Sequence, residues 1–117
     1  MDNCIFCKIV AGEIPADKLL ENRDCIMIKD RNPVAPHHLL VIVKDHFDNI
    51  AGLNGKSDEC FYYENVFQII HEYVEKNGLD VSGYRILVNT GKDAGQTVNH
   101  LHFHLIGGAT LKNDFGA

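Results

Sequence analysis

Residues 96–108 read QTVNHLHFHLIGG, and three of the seven histidines of the chain alternate there with apolar residues. On a β-strand, successive side chains point to opposite faces, so His100, His102 and His104 would share one face. On an α-helix, successive members of this row would lie about 200° apart around the axis and would share no face. The β-branched and aromatic neighbours, and the Gly-Gly pair that follows, favour the strand.

Strand geometry limits what these three histidines can do together. Alternate residues of a strand lie roughly 6.6 Å apart, and the outer pair would lie roughly 13 Å apart. Zinc holds nitrogen ligands at about 2.0–2.1 Å, so an adjacent pair can share one ion more easily than all three can. We therefore expect the histidines to have different tasks. A chance row of histidines on the surface of an amphipathic strand is the simpler but less favoured interpretation.

The composition indicates an ordinary globular protein. Of 117 residues, 45% are hydrophobic and 23% are charged, which predicts one domain over residues 1–117. The formal net charge of −5 argues against a general nucleic-acid binder, although it leaves room for one small phosphate ligand. Neither a signal peptide nor an apolar run of the ~18–20 residues needed to span a bilayer is evident. We expect a cytoplasmic protein with no nucleic-acid or membrane partner.

Cys4 and Cys7 form a C-x-x-C motif in a predicted short helix over residues 4–12. This spacing is typical of half of a zinc site or of a redox pair. A thioredoxin-like redox site would follow a strand and open a longer helix, which the glycine and proline that come next oppose. Zinc would need two more ligands, and His46 and His100 are the candidates. Two reduced thiols without a metal are the alternative.

The remaining segments predict an α+β domain. Apolar residues at helical spacing predict one long helix over residues 58–76. The run at residues 39–43 is apolar on both faces, which indicates a central strand. Together with the histidine strand, the predicted strands make a five-stranded, mainly antiparallel sheet beside one long helix and the short N-terminal helix. The other predicted strands are residues 18–21, 25–30, 37–43 and 84–89.

The loop of residues 90–97, TGKDAGQT, leads directly into the histidine row. Backbone N–H groups in such a glycine-containing loop can form a nest that binds an anion. A simple hairpin connection explains the same residues equally well. The attachment to the histidines favours a phosphate-binding loop.

The histidine row supports chemistry at phosphorus. A neutral imidazole is a competent nucleophile near pH 7. Attack on phosphorus also requires donors for the non-bridging oxygens and an acid for the leaving group. The histidine face beside Gln96, Thr97 and a nest near Gly95 offers all three parts, which predicts phosphoryl or nucleotidyl transfer through a covalent histidine intermediate. A metalloenzyme with a His-x-His pair and a non-catalytic nucleotide-binding module are the alternatives.

The sequence also resembles a known family. HLHFHLI at residues 100–106 fits the histidine triad (HIT) motif, His-φ-His-φ-His-φ-φ, at every position. The glycine pair after it resembles the Hint branch more than the Fhit branch, and the C-x-x-C motif resembles that of bacterial members. Further matching positions are CIFCKI at 4–9, EIP at 13–15, Asp30, APHH at 35–38, VI at 41–42 through His46, Asn89, and GQTV at 95–98.

The resemblance implies a fold and a function. Hint-like proteins are homodimers with a five-stranded antiparallel sheet in each subunit, continued across the dimer. They bind purine nucleoside monophosphates of the AMP or GMP type and hydrolyse nucleoside 5′-phosphoramidates at the P–N bond. Dinucleoside polyphosphate hydrolysis and a non-catalytic purine-nucleotide-binding module are the alternatives.

The resemblance also implies residue roles. His102 would be the nucleophile that forms a nucleotidyl-histidine intermediate, and His104 would contact the phosphate and help to protonate the leaving group. His38 and His100 would orient and tune the nucleophile. No cofactor would be required for catalysis. The implied zinc ligands, for a structural ion, are Cys4, Cys7, His46 and His100. The implied nucleotide-binding residues are Ile5, Phe6 and Ile28 for the base, Asp30 for the ribose, and Asn89, Gly95, Gln96, Thr97, His102 and His104 for the phosphate. Two positions in or next to this set depart from the family pattern. Thr97 stands where serine is usual, and Arg31, which follows Asp30, stands where an apolar residue is common.

Overall fold

The structure, a computed structural model, describes residues 3–113. Its five strands form one antiparallel sheet in the order β1-β2-β3-β5-β4. The predicted sheet, long helix and short N-terminal helix are confirmed. The elements are α1 Ile5–Val10, β1 Lys18–Glu21, β2 Cys25–Lys29, β3 His37–Val43, α2 Ile50–Leu53, α3 Glu59–Asn77, α4 Leu79–Ser82, β4 Tyr84–Leu87, a 3₁₀ helix Lys92–Ala94, and β5 His102–Gly107. No helix within residues 3–113 is long and apolar enough to cross a membrane.

The central strand β3 is apolar on both faces because each face of the sheet is covered. One face packs on α3 and buries alternate residues such as Leu39 and Val41, together with Phe103 and Leu105 of β5. The other face packs on α1 and buries a second cluster, Phe6, Ile26, Ile28, Leu40 and Ile42. Since side chains alternate along β5, His102 and His104 lie on the α1 face, opposite the large core.

The histidine row is only partly a strand, which corrects the sequence prediction for His100. β5 begins at His102, and residues 98–100 form a bend. The backbone N–H of Leu101 bonds to the carbonyl of Phe47 at 2.7 Å, outside the pairing of β3 with β5. The alternation of faces nevertheless reaches His100, because Leu101 packs in the core on the α3 face and the His100 ring lies 6.0 Å from that of Phe6 on α1. The fully buried His100 side chain joins a different cluster from the other two histidines.

The last residue of β5 and the one after it, Gly107 and Gly108, occupy positions with little room for a Cβ. Gly107 pairs with both neighbouring strands, and a Cβ there would lie 3.3 Å from a methyl group of Leu79. Gly108 has φ +88°, and a Cβ there would lie 2.9 Å from the ring of His37 and 3.2 Å from Pro36. The close approach of Gly108 to the side chains of His37 and Pro36 fixes how β5 passes β3, and thus where His104 lies relative to the start of β3.

We expect Gly108→Ala to destabilise the protein more than Gly55→Ala does. Gly55 has φ +83°, but a Cβ there would meet no atom of the described residues within 4 Å. Its substitution should therefore cost only the backbone term of about 1–2 kcal/mol. Gly108→Ala should add about 1–3 kcal/mol from the contact with His37 and Pro36. Urea unfolding of both variants measures the difference, and equal losses would contradict this account of β5.

Candidate functional site

A cavity of about 630 Å³ opens on the α1 face of the sheet; we call it the pocket. Its apolar wall comes from α1, β2 and β3, and two histidines of β5 lie in its lining. The pocket brings together seven of the residues predicted to bind a nucleotide, namely Ile5, Phe6, Ile28, Asp30, Thr97, His102 and His104. Other lining residues are Ile9, Pro15, Ala16, Asp17, Lys29, Arg31, Asn32, Leu40 and Val98.

The tautomer of His102 is set by a backbone carbonyl. His102 Nδ1 lies 2.7 Å from the carbonyl oxygen of His100. A carbonyl oxygen only accepts, so the proton is on Nδ1 and the lone pair is on Nε2. Burial lowers the pKa of His102 below the usual 6.5, so the ring is neutral at pH 7. His102 thus has the protonation state and the tautomer that a nucleophile needs.

His104 and His38 lie beside His102 in a buried polar cluster with Asp30. His38 Nε2 lies 3.0 Å from His104 Nδ1 and 3.3 Å from the Asp30 carboxylate. Burial, with smaller effects of His102 and His38, lowers the pKa of His104 to about 4. A negative phosphate placed next to this ring would favour its charged form and raise that pKa. The ring could then transfer a proton to a leaving group.

Asp30 stands at the end of β2 with its carboxylate held in place. One oxygen accepts a hydrogen bond from the Asn32 backbone N–H at 2.8 Å, and the other faces His38. Carboxylate oxygens can accept further bonds, so Asp30 retains the capacity to bind the hydroxyl groups of a sugar.

A second cluster lies at the N-terminus of α1. Ligand atoms of Cys4, Cys7, His46 and His100 all lie within 4.8 Å of one another and could hold a metal ion. Cys4 Sγ lies 3.3 Å from His100 Nδ1, and Cys7 Sγ lies 3.2 Å from His46 Nδ1. The two Nδ1 atoms are 3.1 Å apart.

The chemistry of this donor set fits a cation. His100 Nε2 donates to the carbonyl of Val43, and His46 Nε2 donates to the Asp48 carboxylate at 2.8 Å. Both rings therefore direct the lone pair of Nδ1 into the cluster, where a positive ion would remove their mutual repulsion. Burial, reinforced by Cys4, raises the pKa of the Cys7 thiol to about 11, and a bound cation would reverse that shift.

Three of the predicted phosphate-binding residues, Asn89, Gly95 and Gln96, do not line the pocket. The Gln96 side chain instead braces the loop of residues 90–97. Its Oε1 accepts from the Gly91 N–H at 2.8 Å, and its Nε2 donates to the carbonyls of Asp48 and Val98. Both donors of its amide are thus in use. A role of these three residues at phosphate stays a prediction.

Sequence reasoning missed part of the pocket lining. Leu40 could have been predicted from the sequence, because it lies two residues from His38 on β3 and thus on the same face. Pro15, Ala16 and Asp17 gave no such signal. They belong to the connection between α1 and β1 and reach the pocket only through the tertiary fold.

Comparisons with known proteins agree over nearly the whole chain. The family model described as "Scavenger mRNA decapping enzyme C-term binding" matches residues 3–114. Protein HitA of Neisseria gonorrhoeae is 44% identical over 107 residues, which cover 92% of this chain and 97% of HitA. An uncharacterized HIT-like protein of Helicobacter pylori is 45% identical over 104 residues, covering 89% of this chain and 95% of that protein.

Solved structures show the same fold. A histidine triad protein from Clostridium difficile is 40% identical, with a TM-score of 0.88 over 97% of this chain and 96% of that one. A HIT family hydrolase from Clostridium thermocellum is 38% identical, with a TM-score of 0.86 over 100% of this chain and 96% of that one. Since the motif, the fold and the relatives coincide along nearly the full length, this chain belongs to the histidine triad family.

Proposed function

We propose that this protein hydrolyses purine nucleoside 5′-phosphoramidates through a covalent nucleotidyl intermediate on His102. The observation that carries the proposal is the bond from His102 Nδ1–H to the His100 carbonyl, which leaves Nε2 unprotonated in a residue that lines the pocket. Two structural neighbours support it by their names: the HIT family hydrolase from Clostridium thermocellum, and a histidine triad nucleotide-binding protein from Candida albicans that is 32% identical.

The proposed reaction has two displacements at phosphorus. His102 Nε2 attacks the α-phosphorus, so that a P–N bond to the ring forms as the P–N bond to the leaving amine breaks. His104 donates a proton to that amine. Water then attacks the same phosphorus, gives a proton to the now neutral His104, and breaks the bond to His102 Nε2. The products are the amine, a nucleoside monophosphate and the free imidazole.

The distribution of apolar and polar groups along the pocket indicates how a bound nucleotide would be oriented. Apolar contacts for the base come from Ile5, Phe6 and Ile28, and Asp30 accepts from the ribose hydroxyl groups. The phosphate lies between the two histidines of β5 and Thr97. Asn89, Gly95 and Gln96 do not line the pocket, and in this proposal they act at the phosphate indirectly, through the loop of residues 90–97 that the Gln96 side chain braces.

We propose zinc as the ion of the second cluster. Two thiolates and two imidazoles are a complete tetrahedral ligand set for zinc, and a site closed by four protein ligands is structural. The ion would fasten Cys4 and Cys7, at the start of α1, to His46 and to His100, two residues before β5. Catalysis itself requires no cofactor in this scheme, because the nucleophile, the acid and the phosphate donors are all protein groups.

A homodimer is also part of the proposal. β4 is an edge strand of the sheet, and Tyr84 on it is 43% exposed. Phe67 of α3, whose ring lies 6.4 Å from that of Phe103 on the neighbouring strand β5, is about half exposed as well. An edge strand next to exposed aromatic residues is suited to pairing with a second copy of the chain, which would continue the sheet. The cytoplasmic location stays a prediction.

We expect His102→Ala to lower turnover of adenosine 5′-phosphoramidate by about 10³-fold or more, because the covalent route is removed. Binding of AMP should change little. Wild-type protein quenched during turnover should carry one nucleotidyl group by mass spectrometry, and the variant should carry none. His71→Ala, on the exposed side of α3, is the control. Unchanged turnover in His102→Ala would refute the mechanism.

The same assay with diadenosine polyphosphates separates the alternatives. Faster turnover of the dinucleotides would identify a dinucleoside polyphosphate hydrolase. Tight AMP binding without turnover of either substrate would identify a binding module.

Protein purified without chelators should contain about one zinc ion per chain. His46→Asn should lower the zinc content and the melting temperature, because the ligand set is incomplete. Cys60→Ser should change neither, since this cysteine is exposed on α3. Elemental analysis and thermal unfolding provide the two measurements. A metal-free wild-type protein whose Cys4 and Cys7 react with thiol reagents would overturn the assignment.

A further inference from the structure

Asp30, His38 and His104 form a second group of metal-binding residue types, distinct from the cysteine cluster. Their ligand atoms lie within 4.8 Å of one another. Two histidines and one carboxylate are a ligand set that transition metals occupy in many proteins. The hydrogen bonds of His38 indicate instead that these atoms fix the protonation of the two rings and do not bind a metal.

The first of these bonds comes from the backbone of Val34. Its N–H donates to His38 Nδ1 at 3.1 Å. A backbone N–H cannot accept, so His38 Nδ1 carries a lone pair and the proton of the neutral ring is on Nε2. A protonated Nε2 has no lone pair for a metal. While this bond exists, His38 cannot complete the three-residue ligand set.

The proton on His38 Nε2 then determines the state of His104. These two atoms face each other, and His104 Nδ1 lies 3.0 Å from the donor, so it must accept. The proton of neutral His104 is therefore on Nε2, the one nitrogen that remains free for a molecule in the pocket. The Asp30 carboxylate, 3.3 Å from His38 Nε2, stabilises the same orientation of the His38 ring.

The local chain explains why a backbone amide can have this role. Val34 lies between Pro33 and Pro36 in the connection from β2 to β3, and proline restricts the backbone on either side. The side chain of Val34 is 70% exposed, so it contributes little to packing. The contribution of this residue to the site comes from its N–H group.

We propose that the Val34 backbone amide is a positioning group: it fixes the tautomers of His38 and His104, so that His104 presents an Nε2–H donor to the pocket and a metal ion is excluded from the Asp30–His38–His104 cluster. The proposed tautomers are those of the neutral rings in the protein without substrate. Once a bound phosphate charges His104, its second proton enters at Nδ1 and faces the Asp30 carboxylate together with the His38 Nε2–H. Its kinetic consequence rests on the proposed hydrolase function.

The first test is ¹⁵N NMR of the histidine rings in wild-type protein at pH 7.5. Two-bond ¹H–¹⁵N correlations should show an unprotonated Nδ1 and a protonated Nε2 for both His38 and His104. A proton on Nδ1 of either ring would overturn the proposal, whatever the activity of the protein. This readout does not depend on any variant folding correctly.

The second test compares Val34→Pro, which removes the N–H, with Val34→Ala, which keeps it. Val34→Pro should shift or mix the two tautomers and lower kcat roughly 10- to 100-fold with little change in KM, because the donor is misplaced. Val34→Ala should match wild type in both readouts. Wild-type tautomers and kcat in Val34→Pro would refute the role of the amide. If wild-type protein turns over no phosphoramidate, the proposed function fails, but NMR still decides the tautomers.

The third test is a titration of wild-type holoprotein with Co²⁺. Binding of a second ion that Asp30→Asn abolishes would overturn the exclusion of metal, whereas retention of only the cysteine-cluster ion supports it. If Val34→Pro binds a second ion that wild type does not, the amide is directly implicated.

Discussion

The hydrogen bonds of His100 connect the two functional clusters of this protein. Its ring is fully buried and donates to the Val43 carbonyl, while its other nitrogen joins Cys4 and Cys7. Its backbone carbonyl accepts from His102. An unsatisfied polar group at such depth would cost about 1–3 kcal/mol, so these contacts constrain the bend before β5. They also hold α1, whose six residues could not form a stable helix alone. Through α1, Phe6 reaches the wall of the pocket.

The register of the sheet places the other histidines. His38 is paired with Ile106, and His104 is paired with Leu40. His38 and His104 are therefore diagonal neighbours on one face of an antiparallel pair, a spacing that long and aromatic side chains bridge. A slip of one residue would turn every side chain of β5 to the other face. The two glycines at the end of β5 oppose such a slip, because only a residue without Cβ fits against His37 and Pro36.

Local patterns account for most of the strands but for less of the site. The period of two in residues 102–106 and the apolar run of β3 predicted the sheet correctly, because both patterns report burial. The bend at His100 was not predictable in this way, since it depends on a backbone bond to Phe47, far away in sequence. The four-residue helices α2 and α4 are too short to show a helical period. The family resemblance supplied the separate role of each histidine and the choice of a structural zinc ion over free thiols, both of which the residues alone had left open.

Burial controls the charge of the two pocket histidines, His102 and His104, because it favours the neutral ring. Burial lowers the pKa of both His102 and His104, so both imidazoles are neutral near pH 7 before substrate binds. In the proposed reaction these rings need different states, a neutral nucleophile and a protonated acid. An entering phosphate provides the asymmetry, because its charge favours protonation of the ring that it contacts. His102 stays neutral because burial outweighs the bond from its Nδ1–H to the carbonyl, which by itself favours the charged ring. Its Nε2 is moreover directed to phosphorus. The substrate would thus charge the acid only once it is bound, which links proton supply to occupancy of the pocket.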